Sequence, residues 1–172
     1  MSDDAERPRK RRSLGSWKFI VAIVLVLGYS VVAAYGVMSD TSIRGLTVKI
    51  FNVSRYCVTQ SNSLESLNYN VKGAIWSASS IQTSLSRMTF ILSVDGLVIG
   101  TGSQDDASFG PGQSVAFNLT FTHPTLNPTT QTILPLSSRL VLTLSATVAA
   151  GLYSASEAAS DNTLETFTST GC

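Results

Sequence analysis

The chain has 172 residues, of which 44% are hydrophobic and only 13% are Asp, Glu, Lys or Arg, about half the ~25% charged share of an ordinary soluble domain. Ser and Thr supply 44 residues against 23 charged ones, so the polar surface is built from hydroxyls, which cytosolic solubility seldom uses. A net charge of +1, with 12 Gly, 5 Pro and 2 Cys, excludes a collagenous or Pro-rich disordered chain, a disulfide-dense miniprotein and a Cys-rich zinc domain.

The charge is unevenly distributed. Residues 1–18 carry six basic and three acidic groups, five of the bases in the run Arg7 to Arg12, RPRKRR, while residues 40–172 carry six basic and eight acidic groups. Next come 21 uncharged residues, Phe19 to Ser39. As a helix rising about 1.5 Å per residue they reach roughly 30 Å, the thickness of a bilayer's hydrocarbon core. The basic run on one side, with only Arg44 soon after the other, points the N-terminus to the cytoplasm by the positive-inside rule. The expected organisation is a cytoplasmic tail (1–18), a transmembrane helix contacting the lipid bilayer (19–39) and an extracytoplasmic domain (40–172) at the cell membrane. A cleaved signal peptide is the main alternative, with Val32 and Ala34 flanking Ala33 in a small-x-small pattern, but the apolar stretch outruns the usual ~7–15 residues of a signal core. A pilin-like leader would want a basic residue beside the cut glycine, and Leu14 precedes Gly15.

Past Asp40 the pattern turns to alternation, the mark of half-buried strands. Leu46, Val48 and Ile50 form one inward row, and Leu67, Tyr69, Val71, Gly73 and Ile75 another. Met88, Phe90, Leu92 and Val94 precede Asp95-Gly96, after which Leu97, Val98 and Ile99 resume. Asp-Gly between apolar runs predicts a two-residue hairpin turn, because both central residues need φ > 0. Val115 to Phe121 and Leu140 to Val148 give two further strands, with a short last one near Leu164 and Phe167. Ser154 to Ser160 reads as one helical turn. The stretches Ser77–Ser86 and Thr122–Pro135 read as crossovers between sheets, so the domain is expected to be an all-β, antiparallel, immunoglobulin-like sandwich of about seven strands.

The run Met88 to Phe121, MTFILSVDGLVIGTGSQDDASFGPGQSVAFNLTF, resembles the middle of a late-embryogenesis-abundant type 2 domain at Ile99, Gly100, Gly102, Phe109, Gly112 and Ser114. The family's frequent Asn-Pro-Asn motif is absent, and Trp76-Ser77-Ala78 stands near its place. The resemblance implies a β-sandwich, commonly behind an N-terminal membrane anchor, without known catalysis and linked to stress protection or surface interactions.

Chemistry is sparse. His123 is the single histidine, placed before Pro124 in an expected loop, so a Ser-His-Asp triad would rest on it alone. One His and two Cys do not make a zinc site, and no catalytic, cofactor or metal residue is assigned. Asp105 and Asp106, with Asp95, are the only grouping that suggests calcium, and the plainer reading is a solvated loop. The outer bases, Arg44, Lys49, Arg55, Lys72, Arg87 and Arg139, are scattered, which argues against nucleic acid. Cys57 and Cys172 have two open readings: a bridge closing a loop of about 115 residues, worth roughly 4–5 kcal/mol in the chain-entropy picture, or a buried and a terminal thiol. Asn52-Val53-Ser54 and Asn118-Leu119-Thr120 are glycosylation sequons, with Asn118 facing away from the core.

The functional expectation is a membrane-anchored, non-enzymatic β-sandwich with a binding, protective or structural role toward protein partners at the cell surface, as monomer or homo-oligomer. The alternative is a subunit or anchor of an extracellular assembly such as a pilus, surface layer or motility-motor stator.

Overall fold

The computed structural model describes residues 14–60, 63–124 and 137–167, and the chain forms two compact units, Met1–Val37 and Met38–Cys172. Helix α1 spans Leu14–Arg44, longer at both ends than the uncharged run. From Trp17 to Arg44 it is long and apolar enough to cross a membrane. Its apolar side chains are exposed on every side, among them Phe19, Val24, Leu25, Leu27 and Val31; a helix apolar all round suits lipid or a core rather than water. Ser30, the polar residue in mid-run, donates its hydroxyl to the Val26 carbonyl at 2.8 Å, which satisfies it without water.

The second unit contains eight strands among the described residues: β1 Leu46–Gln60, β2 Ser63–Ser77, β3 Thr83–Val94, β4 Leu97–Gln104, β5 Ala107–Phe109, β6 Ser114–Pro124, β7 Ser137–Ala150 and β8 Tyr153–Thr166. They form two antiparallel sheets, β1-β2-β6 and β4-β3-β7-β8, with β5 also on β3. The chain crosses between sheets from Ser77 to Thr83, as the loop signals there predict; the second expected crossover lies mostly in 125–136, outside the described residues. The strand count exceeds about seven because one run beside β3 breaks at Asp105-Asp106 into β4 and β5.

Two local readings are corrected. Ser154–Ser160 is strand, not a helical turn: β8 pairs with β7 from Ala150↔Tyr153 to Ser137↔Thr166. Ala favours helix by itself, so the strand here is local preference overridden by pairing with β7. His123 is also not in a loop; it sits in β6, opposite Leu67, because the inward row of Phe117, Leu119 and Phe121 continues to it.

Alternation along β1 changes phase at one residue. Val48 and Ile50 are buried, Ile50 pairs with Gly73 and Asn52 with Lys72, and Phe51 between them has no partner. Phe51 is outward, 61% exposed, and the bulge leaves Asn52 outward as well, which moves the inward row to Val53, Arg55 and Cys57. An extra residue in one strand has this effect on everything after it.

The two sheets meet through Phe90, Leu92, Leu142 and Leu144 on one side and Val71, Ile75, Phe117 and Phe121 on the other, all buried. The Phe117 ring lies 5.1 Å from that of Phe90. Gly73 makes room for it: a Cβ there would stand 2.4 Å from Phe117 Cζ and 2.2 Å from the Lys49 carbonyl oxygen. Gly96 is a glycine for a different reason. In the β3–β4 turn Asp95 has φ 50° and Gly96 φ 84°, while nothing lies within 4 Å of a Cβ built on Gly96.

These two glycines separate clash from strain. Gly73→Ala is expected to destabilise the sandwich by about 1–3 kcal/mol through overpacking. Gly96→Val is expected to cost about 1–3 kcal/mol through backbone strain. Urea denaturation of both variants checks this, and the Gly73→Ala loss should shrink when Phe117→Leu is added while the Gly96→Val loss should not.

Candidate functional site

The inward row that the β1 bulge creates holds the densest chemistry among the described residues. Arg55 pairs across the sheet with Tyr69, and its guanidinium stands over the Phe167 ring, 4.4 Å from the centroid. Tyr69 meets the same ring edge-on at 5.9 Å. Burial pushes the Tyr69 phenol above its ordinary value, against the charge and hydrogen bond of Arg55. A cation on a core-facing position is thus matched by one aromatic face, that of Phe167, and by the Tyr69 phenol oxygen. Alternation read without the bulge gives Arg55 no inward role, which is why the sequence did not single it out; Phe51 following Ile50 was the available signal.

Cys57 is the next residue of that row and is half-buried. It carries no free thiol and is disulfide-bonded. Cys172, the chain's other cysteine, lies outside the described residues. Phe167 is buried against Arg55 and Tyr69, and the five residues that follow it can span about 17 Å at full extension.

Three carboxylates are engaged with backbone, each at an irregular point. Asp161 on β8 accepts the Ile50 N–H at 2.8 Å, beside the bulge and between edge strands of different sheets. Asp106 accepts the Arg87 N–H at 3.3 Å, where Arg87 takes φ 53° and the β3–β7 register shifts. Asp95 accepts the Arg139 N–H at 2.8 Å and returns its own N–H to the Arg139 carbonyl at 2.8 Å, extending the β3–β7 pairing past Val94. Irregular backbone leaves donors that the ladder does not reach, and an ionised acceptor satisfies them strongly.

The Asp95, Asp105 and Asp106 grouping that would suggest calcium is not brought together. Asp95 follows the end of β3, whereas Asp106 sits at Arg87, seven residues back from Val94 or roughly 23 Å at strand rise. Asp105 is exposed. Among the described residues no three His, Cys, Asp or Glu side chains cluster as a metal would require.

The two sequon asparagines share one row on the outer face of the first sheet: Asn52 opposes Lys72, which opposes Asn118, and both are exposed. Near them Phe51 and Trp76 pack edge-to-face with centroids 5.5 Å apart, and Tyr56 and Val58 are also exposed. On the other outer face Arg87, Thr89, Ser145, Thr147, Ser156 and Glu157 line a shallow, open depression.

The class this defines is an antiparallel β-sandwich unit preceded by a helix with the length and apolarity of a membrane span. No family model matches the chain, and no curated protein does. Among solved structures it is similar to a crystal structure of a protein from Archaeoglobus fulgidus, 9% identical, covering 69% of this chain and 97% of that one with a TM-score of 0.39. It is also similar to the solution structure of AT1g01470 from Arabidopsis thaliana, 14% identical, covering 70% and 82% of the two chains with a TM-score of 0.46.

Two outcomes are expected from this geometry. Asp161→Ala should cost about 1–3 kcal/mol, since it strands the Ile50 N–H, whereas Asp105→Ala should stay within about 0.5 kcal/mol; denaturant midpoints with and without calcium compare them. For Tyr69, the raised folded-state pKa means the unfolded phenol ionises first. Its contribution to stability is therefore complete below about pH 10 and lost as pH climbs through the folded value. The urea midpoint should fall more steeply above about pH 10 in the wild type than in Tyr69→Phe.

Proposed function

We propose that the protein is a single-pass membrane protein, N-terminus in the cytoplasm and β-sandwich outside, whose sandwich binds, shields or scaffolds partners at the cell surface without converting a substrate. The observation that carries the reading is the disulfide at Cys57. Persistent disulfides belong to oxidising compartments, and the basic run RPRKRR on the far side of α1 argues for the same orientation. Cys172 is the partner the chain offers.

A binding role draws support from the outer face of the first sheet, where Phe51, Tyr56 and Val58 are exposed along β1. Exposed apolar side chains gathered on one face are the usual mark of a contact surface. A non-catalytic role draws support from the carboxylates, since Asp95, Asp106 and Asp161 hold backbone donors and are not free for acid–base work. The likeness to late-embryogenesis-abundant type 2 domains belongs to this proposal and adds a protective role to it.

Protease added to intact cells should remove the sandwich and spare the basic tail, as read with antibodies to each end. Protection of the sandwich that vanishes on permeabilising the cells would reverse the orientation. Non-reducing peptide mapping of the same material is expected to return Cys57 and Cys172 in one cross-linked peptide.

A further inference from the structure

The sandwich has two ends, and the chain enters at one of them. Residues Met38–Arg44, the last turns of α1, belong to the sandwich unit. Ile43 is in its core, the Ser42 carbonyl accepts the Ser77 hydroxyl at 2.7 Å, and the Ser79 hydroxyl donates to Ser42 Oγ at 2.8 Å. The Gly45 carbonyl accepts the Ala78 N–H at 3.1 Å. The entry point is therefore the end where β2 stops and the connection to β3 begins.

The β7–β8 turn lies at this same end. Thr83, the first residue of β3, pairs with Ala150, and Ala150 pairs with Tyr153 across the turn. Gly151, at the first central position, has φ 62°, the pattern of a two-residue II′ hairpin, which leaves the second central position open to most residues. That position is Leu152, 91% exposed, followed by Tyr153 at 52%. Turn geometry does not require an aliphatic side chain there, and the sandwich does not cover it. The apolar part of α1 runs up to Met38 in the chain, so this is the end at which the chain enters the sandwich unit.

We propose that the β7–β8 turn seats in the headgroup region of the bilayer, with Leu152 inserted and Tyr153 at the polar boundary. A leucine beside a tyrosine fits that boundary, because the aliphatic group gains by leaving water and the phenol keeps its hydroxyl wet. The proposal rests on reading α1 as a membrane span. It gives the sandwich unit a contact with the bilayer besides its chain connection to α1, made by the β7–β8 turn and not by the β3–β4 hairpin at the other end of β3. Leu97 on that hairpin, 58% exposed, provides the internal control, since it pairs with Val94 and Val94 with Leu140, at the opposite end of β3 from Thr83.

The test uses the full chain reconstituted in vesicles of phosphatidylcholine with acyl chains brominated near the headgroup, in a Trp17→Phe, Trp76→Phe background. Single tryptophans are then placed as Leu152→Trp, Tyr153→Trp, Leu97→Trp or Val26→Trp, and circular dichroism checks that each variant keeps its strand content. Bromolipid should quench Leu152→Trp and Tyr153→Trp at least about twofold more than Leu97→Trp, with Val26→Trp quenched by lipid brominated deeper in the chain. If Val26→Trp is quenched but Leu152→Trp and Tyr153→Trp match Leu97→Trp, the turn does not touch lipid and the proposal is overturned while the span stands. If Val26→Trp is not quenched either, the span reading falls and the proposal with it.

Discussion

Where the ring of Phe117 lies over Gly73 and against Phe90, the two sheets come together. A side chain on Gly73 would need the space of both the Lys49 carbonyl and the ring. The missing Cβ lets the aromatic ring fill the gap between layers, and an aromatic over a strand glycine restores the packing that the glycine forfeits. On either side of this contact Leu92, Leu142, Leu144, Val71 and Ile75 close without exposed area to speak of, as interiors packed near crystal density do. The bulge at Phe51 sits beside the same glycine, since Gly73 is the partner of Ile50. The first sheet therefore changes phase along β1 beside this close contact.

From that phase change follows the chemistry of the lower part of β1. It turns Arg55 and Cys57 inward, brings Arg55 under Phe167 and ties the end of the described chain to Tyr69. It also disturbs the backbone pairing, and Asp161 from the other sheet answers the Ile50 N–H. One inserted residue thus links sheet register, edge closure and the seat of the disulfide-bonded cysteine. The same economy of means recurs at Arg87 and at the Asp95 turn, where carboxylates hold irregular backbone. A chain with 11 acidic residues has committed three of them, Asp95, Asp106 and Asp161, to holding backbone in place.

The hydroxyl-rich composition has a structural counterpart. At the entry end Ser42, Ser77 and Ser79 form a buried set of hydrogen bonds between the last turn of α1 and the start of the β2–β3 connection. Hydroxyls can satisfy one another there without the desolvation cost of buried charges. On the outer faces, Ser and Thr alternate with the core residues. Charge is scarce both in that interior knot and on those faces, as suits a domain whose solubility rests on neutral hydrogen bonding.

Alternation and turn chemistry alone determined much of the outline: the apolar helix, the antiparallel strands, the Asp95-Gly96 turn with its positive φ angles, and the outward Asn118. These are local consequences of period, of steric limits on φ and of side-chain polarity, so residues close in sequence carry them. The tertiary structure decided the rest. Whether Ser154–Ser160 became helix or strand depended on β7 offering a partner, because pairing overrides the helical preference of its alanines. The place of His123 in β6 depended on β2 continuing beside it. The β1 bulge, and with it the Arg55, Tyr69 and Phe167 cluster, depended on how β1 pairs with β2. The separation of Asp95 from Asp106 depended on where β3 runs. Each rests on pairing or packing between strands, and one sequence read alone contains no term for those contacts.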